Sequence, residues 1–270
     1  MEQIQASIGI IGVGSMGSAI ARGLVQSGAC EGAQIVVCDA DARRVAQMQE
    51  LGMEAASDAN ELIAKQTDVV VLAIKPQVLP EVCAGFANQV HGRLIVSIAA
   101  GVSVDALEGY LDGARVVRVM PNLPIQVLSG ATAICRGTTA TDEDVELVRS
   151  MFAALGSAQV MREDQLDAEG AVVSCGPAYV ALFVDALTRA GVLRGLSAES
   201  CREMVEATML GVAKSLLETG EHPRAYAERV TSPGGTTAAA LKELEPLLMT
   251  GAYAAVDAAL KRTHELAESR

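Results

Sequence analysis

Three glycines at the end of a short apolar run are the first residues whose spacing points to chemistry. The run Ile8–Ile11 leads straight into Gly12-Val13-Gly14-Ser15-Met16-Gly17, and helical apolar spacing follows from Ser15 to Ser27. A strand that ends in G-x-G-x-x-G and opens a helix is built to take the pyrophosphate of a dinucleotide. The first glycine permits a tight turn, the second lets phosphate approach the backbone, and the third lets the helix pack on the strand. The helix N-terminus adds free N–H groups and a partial positive charge. Asp39 closes the next apolar run, about 20 residues on, where a carboxylate meets ribose hydroxyls. It favours NAD, because it repels a 2′-phosphate. Arg43 and Arg44 stand just beyond and could receive that phosphate or simply face solvent, so NADH and NADPH both stay open as cofactors.

Two further segments belong to the same crevice. Ala73-Ile74-Lys75-Pro76 and Ser97–Gly101, with Ala100 and Gly101 at its end, close two more apolar runs. Ligands of open α/β sheets bind beyond the carboxyl ends of the strands, and small residues there leave room for a nicotinamide ring. Lys75 is either a cofactor contact or a solvated strand-end lysine. A second constellation is Thr231-Ser232-Pro233-Gly234-Gly235-Thr236-Thr237 ahead of a helical pattern. Successive glycine N–H groups at a helix start suit a carboxylate, although an ordinary capped helix start has the same residues.

The elements that must position these groups fall into two halves. Residues 1–162 alternate strand and helix, with buried-strand runs such as Asp68–Ile74, Arg93–Ala99 and Arg115–Met120. Such alternation predicts right-handed crossovers and a Rossmann-type, doubly wound sheet, an α/β fold. Residues 163–270 carry helical spacing throughout: Gln165–Val173, Ala178–Ala190, Ala198–Thr219, Pro223–Arg229, Thr237–Leu244 and Pro246–Glu268. Their Ala- and Leu-rich helices are apolar on more than one face, which predicts a subunit interface. The expected division is a dinucleotide-binding domain, 1–162, followed by an all-helical dimerisation domain, 163–270.

Composition excludes other classes. A net charge of −12 argues against nucleic acid or an anionic membrane as partner. With 3% aromatics and no Trp, stacking platforms are not expected. The apolar runs are interrupted before about 18 residues, and the Met1-Glu2 start has no basic leader, so a cytoplasmic protein is expected. The six cysteines form no CxxC pair and the three histidines are scattered. Free thiols are expected, and no metal site.

Six segments in order resemble the Δ1-pyrroline-5-carboxylate reductase family over essentially the whole chain: GVGSMG (12–17), AIKPQ (73–77), SIAAGV (97–102), RVMPNLP (118–124), GPAYV (176–180) and VTSPGGTTAAAL (230–241). The resemblance implies reduction of L-1-pyrroline-5-carboxylate to L-proline by hydride from NADPH or NADH, the last step of proline synthesis. It also implies a homodimer or a larger dimer-based assembly. Carried over by position, Thr237 is the catalytic residue, bonded to the ring nitrogen. Gly234, Gly235 and Thr236, with Ser232, grip the substrate carboxylate. Glu163 stands near the substrate and Asn60 near the adenosine. The chain departs from the family's SGSGPAY at Val173 and Cys175, and from MPNTP at Leu123. These changes could tune the site to another cyclic imino acid. A β-hydroxyacid dehydrogenase relative is disfavoured, because none of Lys214, Lys242 and Lys261 sits in a glycine-rich motif. A non-turnover nicotinamide-binding regulator is disfavoured by the intact 232–237 loop.

Overall fold

The computed structural model describes residues 3–268. Among the described residues, eight strands form one sheet: β1 (Ile8–Ile11), β2 (Ile35–Cys38), β3 (Glu54–Ala55), β4 (Val69–Leu72), β5 (Leu94–Ser97), β6 (Arg115–Pro121), β7 (Gly130–Arg136) and β8 (Gly156–Val160). Their order is β3-β2-β1-β4-β5-β6-β7-β8. The first six strands give the doubly wound order in which the chain reverses between β1 and β4.

The β-branched runs explain why these strands lie in the middle. Val69 to Leu72 are all fully buried, and their side chains alternate between two cores. Val69 and Val71 join Ile8, Ile10, Val37 and Phe152 on one face. Val70 and Leu72 join Ile11, Val36, Leu62 and Phe86 on the other. A period of two with both faces apolar describes a strand covered by helices on each side. The covering helices are α1 (Ser15–Gln26), α2 (Ala42–Gln49), α3 (Ala59–Ala64), α4 (Leu79–Phe86), α5 (Val104–Tyr110) and α6 (Asp142–Ala153). Asp41, Asp58, Ser103 and Thr141 cap four of them, each accepting a first-turn N–H.

β7 runs antiparallel to β6, whereas every other pairing is parallel. The alternating pattern predicts a parallel partner there. The connection holds only a 3-10 turn, Leu123–Val127, with Leu128 left-handed. That is too short for the crossover a parallel strand needs. The two-residue strand β3 carries too little pattern to be legible in sequence.

Beyond the sheet come α7 (Leu166–Glu169), a π-turn (Gly170–Ser174), α8 (Gly176–Val192), α9 (Ala198–Thr219), α10 (Pro223–Arg229) and α11 (Thr236–Glu268). The chain divides into two compact units: residues up to Cys175 together with those from Leu260 on, and Gly176–Ala259. The expected break at Pro246 does not occur, since α11 runs through it. Pro246 removes one donor from the ladder, but it is exposed, so water can satisfy the freed carbonyl. Ion pairing between Arg224 and Glu245 (Nη1 to Oε2, 3.1 Å) ties α10 to this turn.

The helical unit hides little of its apolar surface. α8 buries no residue and α9 buries only Cys201, while Leu193 and Leu217 are 84% and 85% exposed. Among the described residues, one helical stretch, Glu163–Val192, is long and apolar enough to cross a membrane. It contains the π-turn, and its α8 part carries an Asp185–Arg189 ion pair at 2.8 Å. All six cysteines are free, and Cys175 is the exposed one.

Candidate active site

The glycine loop sits where β1 and β4 end side by side. Gly12 has a φ of +92° and its N–H donates to the Cys38 carbonyl at 2.8 Å. A Cβ at Gly12 would lie 2.7 Å from the Ala73 carbonyl oxygen. At Gly17 a Cβ would lie 1.9 Å from the Gly12 carbonyl oxygen. At Gly14 it would meet only Arg44 Nη1, at 3.6 Å. The first and third glycines are therefore required by protein packing, whereas the second leaves the backbone open to a ligand. This is the arrangement a pyrophosphate needs at the start of α1.

Asp39 directly follows β2 beside this loop, and its carboxylate is already engaged. Oδ2 accepts the Val13 N–H at 2.8 Å and Oδ1 accepts the Asp41 N–H at 2.9 Å. Arg44 Nη1 stands 3.7 Å from Oδ2, while Arg43 turns away to pair with Asp41 at 3.0 Å. Of the two arginines, only Arg44 reaches the cavity wall. A 2′-phosphate here would meet a cation as well as the carboxylate. Arg44→Ala is expected to raise the KM for NADPH about threefold to tenfold, with a smaller change for NADH. Steady-state kinetics with both nucleotides check this, and an unchanged ratio removes Arg44 from cofactor choice.

A cavity of about 820 Å³ opens over the loop, a size suited to a cofactor. Gly12, Gly14, Ser15, Met16, Asp39, Ala73, Ile74, Lys75, Pro76 and Ala100 all line it. A second cavity of about 460 Å³ shares Gly12, Asp39, Ala40, Ile74 and Val78, and extends to Ser57–Ala59. Together they straddle the β1/β4 reversal. Val13 is buried in the core beneath the loop. Gly101 lines a neighbouring hollow with Pro76 and Ser103. Asn60 lines neither of the first two cavities. Its Oδ1 is 3.5 Å from Gln89 Nε2.

On the far wall of the larger cavity the sequence singles out Ala100 and Leu123, but not Met120, Pro121, Asn122 or Ser174. Met120, Pro121, Asn122, Leu123 and Ser174 form it with Ala99 and Ala100. The RVMPNLP motif held the available signal. Asn122 is buried and fixes this wall: Oδ1 accepts the Ala131 N–H at 2.8 Å and Nδ2 donates to the Val173 carbonyl at 3.3 Å. Glu163 lies outside the cavity lining. Its Oε1 accepts the Val104 N–H at 2.6 Å, capping α5, and Arg118 Nη1 at 3.0 Å. Arg118 is buried in β6, so this ion pair ties the strand to the segment that precedes α7.

In the helical unit, the 231–237 segment leads into the first turn of α11. Gly234 has a φ of +68°, and the Gly235 N–H donates to the Ser232 carbonyl at 3.0 Å. The turn closes on Ser232, whose Oγ would lie 2.3 Å from a Cβ at Gly235. Thr236 begins α11 and Thr237 is half-buried in its first turn. The first N–H groups of any helix have no intrahelical acceptor, so this end can bind an anion.

A doubly wound sheet with a pyrophosphate loop and a contiguous crevice at its reversal defines a Rossmann-type nicotinamide-nucleotide oxidoreductase. Residues 7–101 match the family described as NADP oxidoreductase, coenzyme F420-dependent, and residues 163–266 match that described as pyrroline-5-carboxylate reductase dimerisation. The chain belongs to the pyrroline-5-carboxylate reductase family. The pyrroline-5-carboxylate reductase of Methanosarcina acetivorans is 36% identical over 263 residues, covering 96% of this chain and 97% of the relative. A pyrroline-5-carboxylate reductase structure from Coxiella burnetii has a TM-score of 0.91 at 33% identity, covering 97% of this chain and 98% of that one. A Plasmodium falciparum pyrroline carboxylate reductase with NADP bound has a TM-score of 0.87 at 27% identity, covering 98% and 99%.

Proposed function

We propose that this chain reduces L-1-pyrroline-5-carboxylate to L-proline with NADPH or NADH, the last step of proline biosynthesis. The observation that carries the reading is near-full-length similarity to pyrroline-5-carboxylate reductases together with a glycine loop open at Gly14 alone. A bound dihydronicotinamide supplies the hydride. The chain's own residues bind and orient. N–H groups at the start of α1 take the pyrophosphate, and the small residues Ala99 and Ala100 leave space for a flat ring. In the helical unit, the backbone N–H groups of Gly234 and Thr236 hold the substrate carboxylate, while the Gly235 N–H closes the turn on the Ser232 carbonyl. Thr237 places its hydroxyl on the ring nitrogen. A protonated cyclic imine is already electrophilic, so holding ring and nucleotide in register accounts for much of the rate.

The functional division falls near Glu163, with 1–162 binding the cofactor and 163–270 supplying substrate and dimer contacts. The segment from Glu163 to Cys175 packs with the sheet unit, where Glu163 acts on Arg118 rather than on the cavity. The apolar surface of α8 and α9 is covered by a second copy of the chain, and the protein is a homodimer or a dimer-based assembly in the cytoplasm.

Nucleotide oxidation with a panel of cyclic imines tests the reading: pyrroline-5-carboxylate, pyrroline-2-carboxylate and the piperideine carboxylates. Turnover is expected to be fastest with the first. No turnover with it would sink the assignment. Preference for another ring would move the substrate instead, and Leu123, 47% exposed on the cavity wall, would be the first suspect.

A further inference from the structure

The π-turn after α7 places an unusual carboxyl behind the cavity wall. A π-turn widens the helix to i→i+5 bonding, here Cys175 N–H to the Gly170 carbonyl at 3.0 Å, and such turns recur at functional sites. It brings Ser174 onto Glu169, with Oγ 3.3 Å from Oε2. Ser174 lines the 820 Å³ cavity beside Asn122 and Ala100. Glu169 does not line it, and its Oε1 is buried without a hydrogen-bond partner among the described residues.

We propose that Glu169 is a positioning residue for the reaction: through the Ser174 hydroxyl it decides whether this wall offers the ligand a hydrogen-bond acceptor or a donor. The inference rests on the reading that the cavity receives the nicotinamide end of the nucleotide. An ionised carboxylate only accepts, so Ser174 must donate to it and its lone pairs remain for the ligand. A carboxyl carrying its proton on Oε2 can donate to Ser174, which frees the serine proton for the cavity. The acceptor state, with a negative charge behind it, suits a cation: an oxidised nicotinamide or a protonated imine. Neutral dihydronicotinamide gains nothing from that charge.

The surroundings allow both states near neutrality. Burial pushes the Glu169 carboxyl up to about 7, opposed only by the Ser174 hydrogen bond. The charged groups on neighbouring elements are engaged with one another. Arg118 of β6 bonds Glu163 at 3.0 Å and stands 3.8 Å from Asp167 of α7, and His264 of α11 is 3.9 Å from Asp167.

The test measures Kd for NADP⁺ and for NADPH from pH 6 to 8.5 and follows their ratio, in which the titration of the shared 2′-phosphate cancels. For the wild type, binding is expected to shift toward NADP⁺ by about threefold to tenfold as pH rises. Glu169→Gln should flatten the ratio. Ser174→Ala, which keeps the carboxyl and removes the hydroxyl, should flatten it too. A fold that raises a carboxyl pKa loses stability as pH climbs from the ordinary glutamate range to the raised value. Glu169→Gln should therefore have a higher Tm than wild type at pH 8.5 and not at pH 5. A wild-type ratio that is flat, or one that stays steep in either variant, overturns the inference while leaving the function intact. Failure of the wild type to bind either nucleotide, and NAD⁺ and NADH as well, would overturn it together with the cofactor reading beneath it.

Discussion

Gly17→Ala is expected to cost at least about 100-fold in nucleotide affinity, roughly 2.7 kcal/mol. The added Cβ would lie 1.9 Å from the Gly12 carbonyl oxygen and 3.0 Å from the Ala73 Cβ. The first of these is backbone, so a rotamer change cannot relieve it. Either α1 must lift off the sheet or the glycine loop must move. The loop is pinned by the Gly12 N–H on the Cys38 carbonyl and by the Val13 N–H on Asp39, so the strain falls on the N–H groups proposed to meet the pyrophosphate. Overpacking of this kind also destabilises by about 1–3 kcal/mol, which lowers Tm by several degrees in a domain of this size. Gly14→Ala is the matched control, because its Cβ meets only Arg44 Nη1 at 3.6 Å. It should keep the wild-type Tm and lose affinity solely through the ligand. Calorimetric titration and thermal melts distinguish the two variants. Wild-type binding by Gly17→Ala would show that the loop is not the phosphate site.

The second large effect is at the helical unit. Thr237→Ala should lower kcat/KM at least tenfold, about 1.4 kcal/mol of transition-state stabilisation. Thr237 lies in the first turn of α11, where alanine has the better helix propensity. The fold should tolerate the change, and thermal stability should hold. The loss then reports the hydroxyl proposed to meet the ring nitrogen. Thr237→Ser, which retains that hydroxyl, should stay within a few-fold of wild type. Steady-state kinetics with pyrroline-5-carboxylate decide the matter, and an unchanged kcat/KM for Thr237→Ala removes the residue from the mechanism.

Much of the fold was legible because its determinants are local. The β-branched run at Val69–Leu72, the glycine spacing and the capping side chains act within a few residues of themselves. The antiparallel β7 was not, since strand direction depends on the length of the connection that Leu123–Val127 shortens. Pro246 misled for a related reason. A proline withdraws one donor, but whether the helix ends there depends on exposure, which one sequence does not state.

The sequence by itself determined most of the strand and helix order, the dinucleotide loop and the glycine-rich turn ahead of the last helix, because periodicity and glycine placement are written in neighbouring residues. Only the tertiary structure decided how the long-range groups are used. It committed Asp39 to the Val13 N–H and brought Arg44, rather than Arg43, to the cavity wall beside it. It turned Glu163 onto buried Arg118, and it set Glu169 behind Ser174. The physical reason is the same in each case: a charged side chain's role depends on its solvation and its partners, and both are properties of the packed chain.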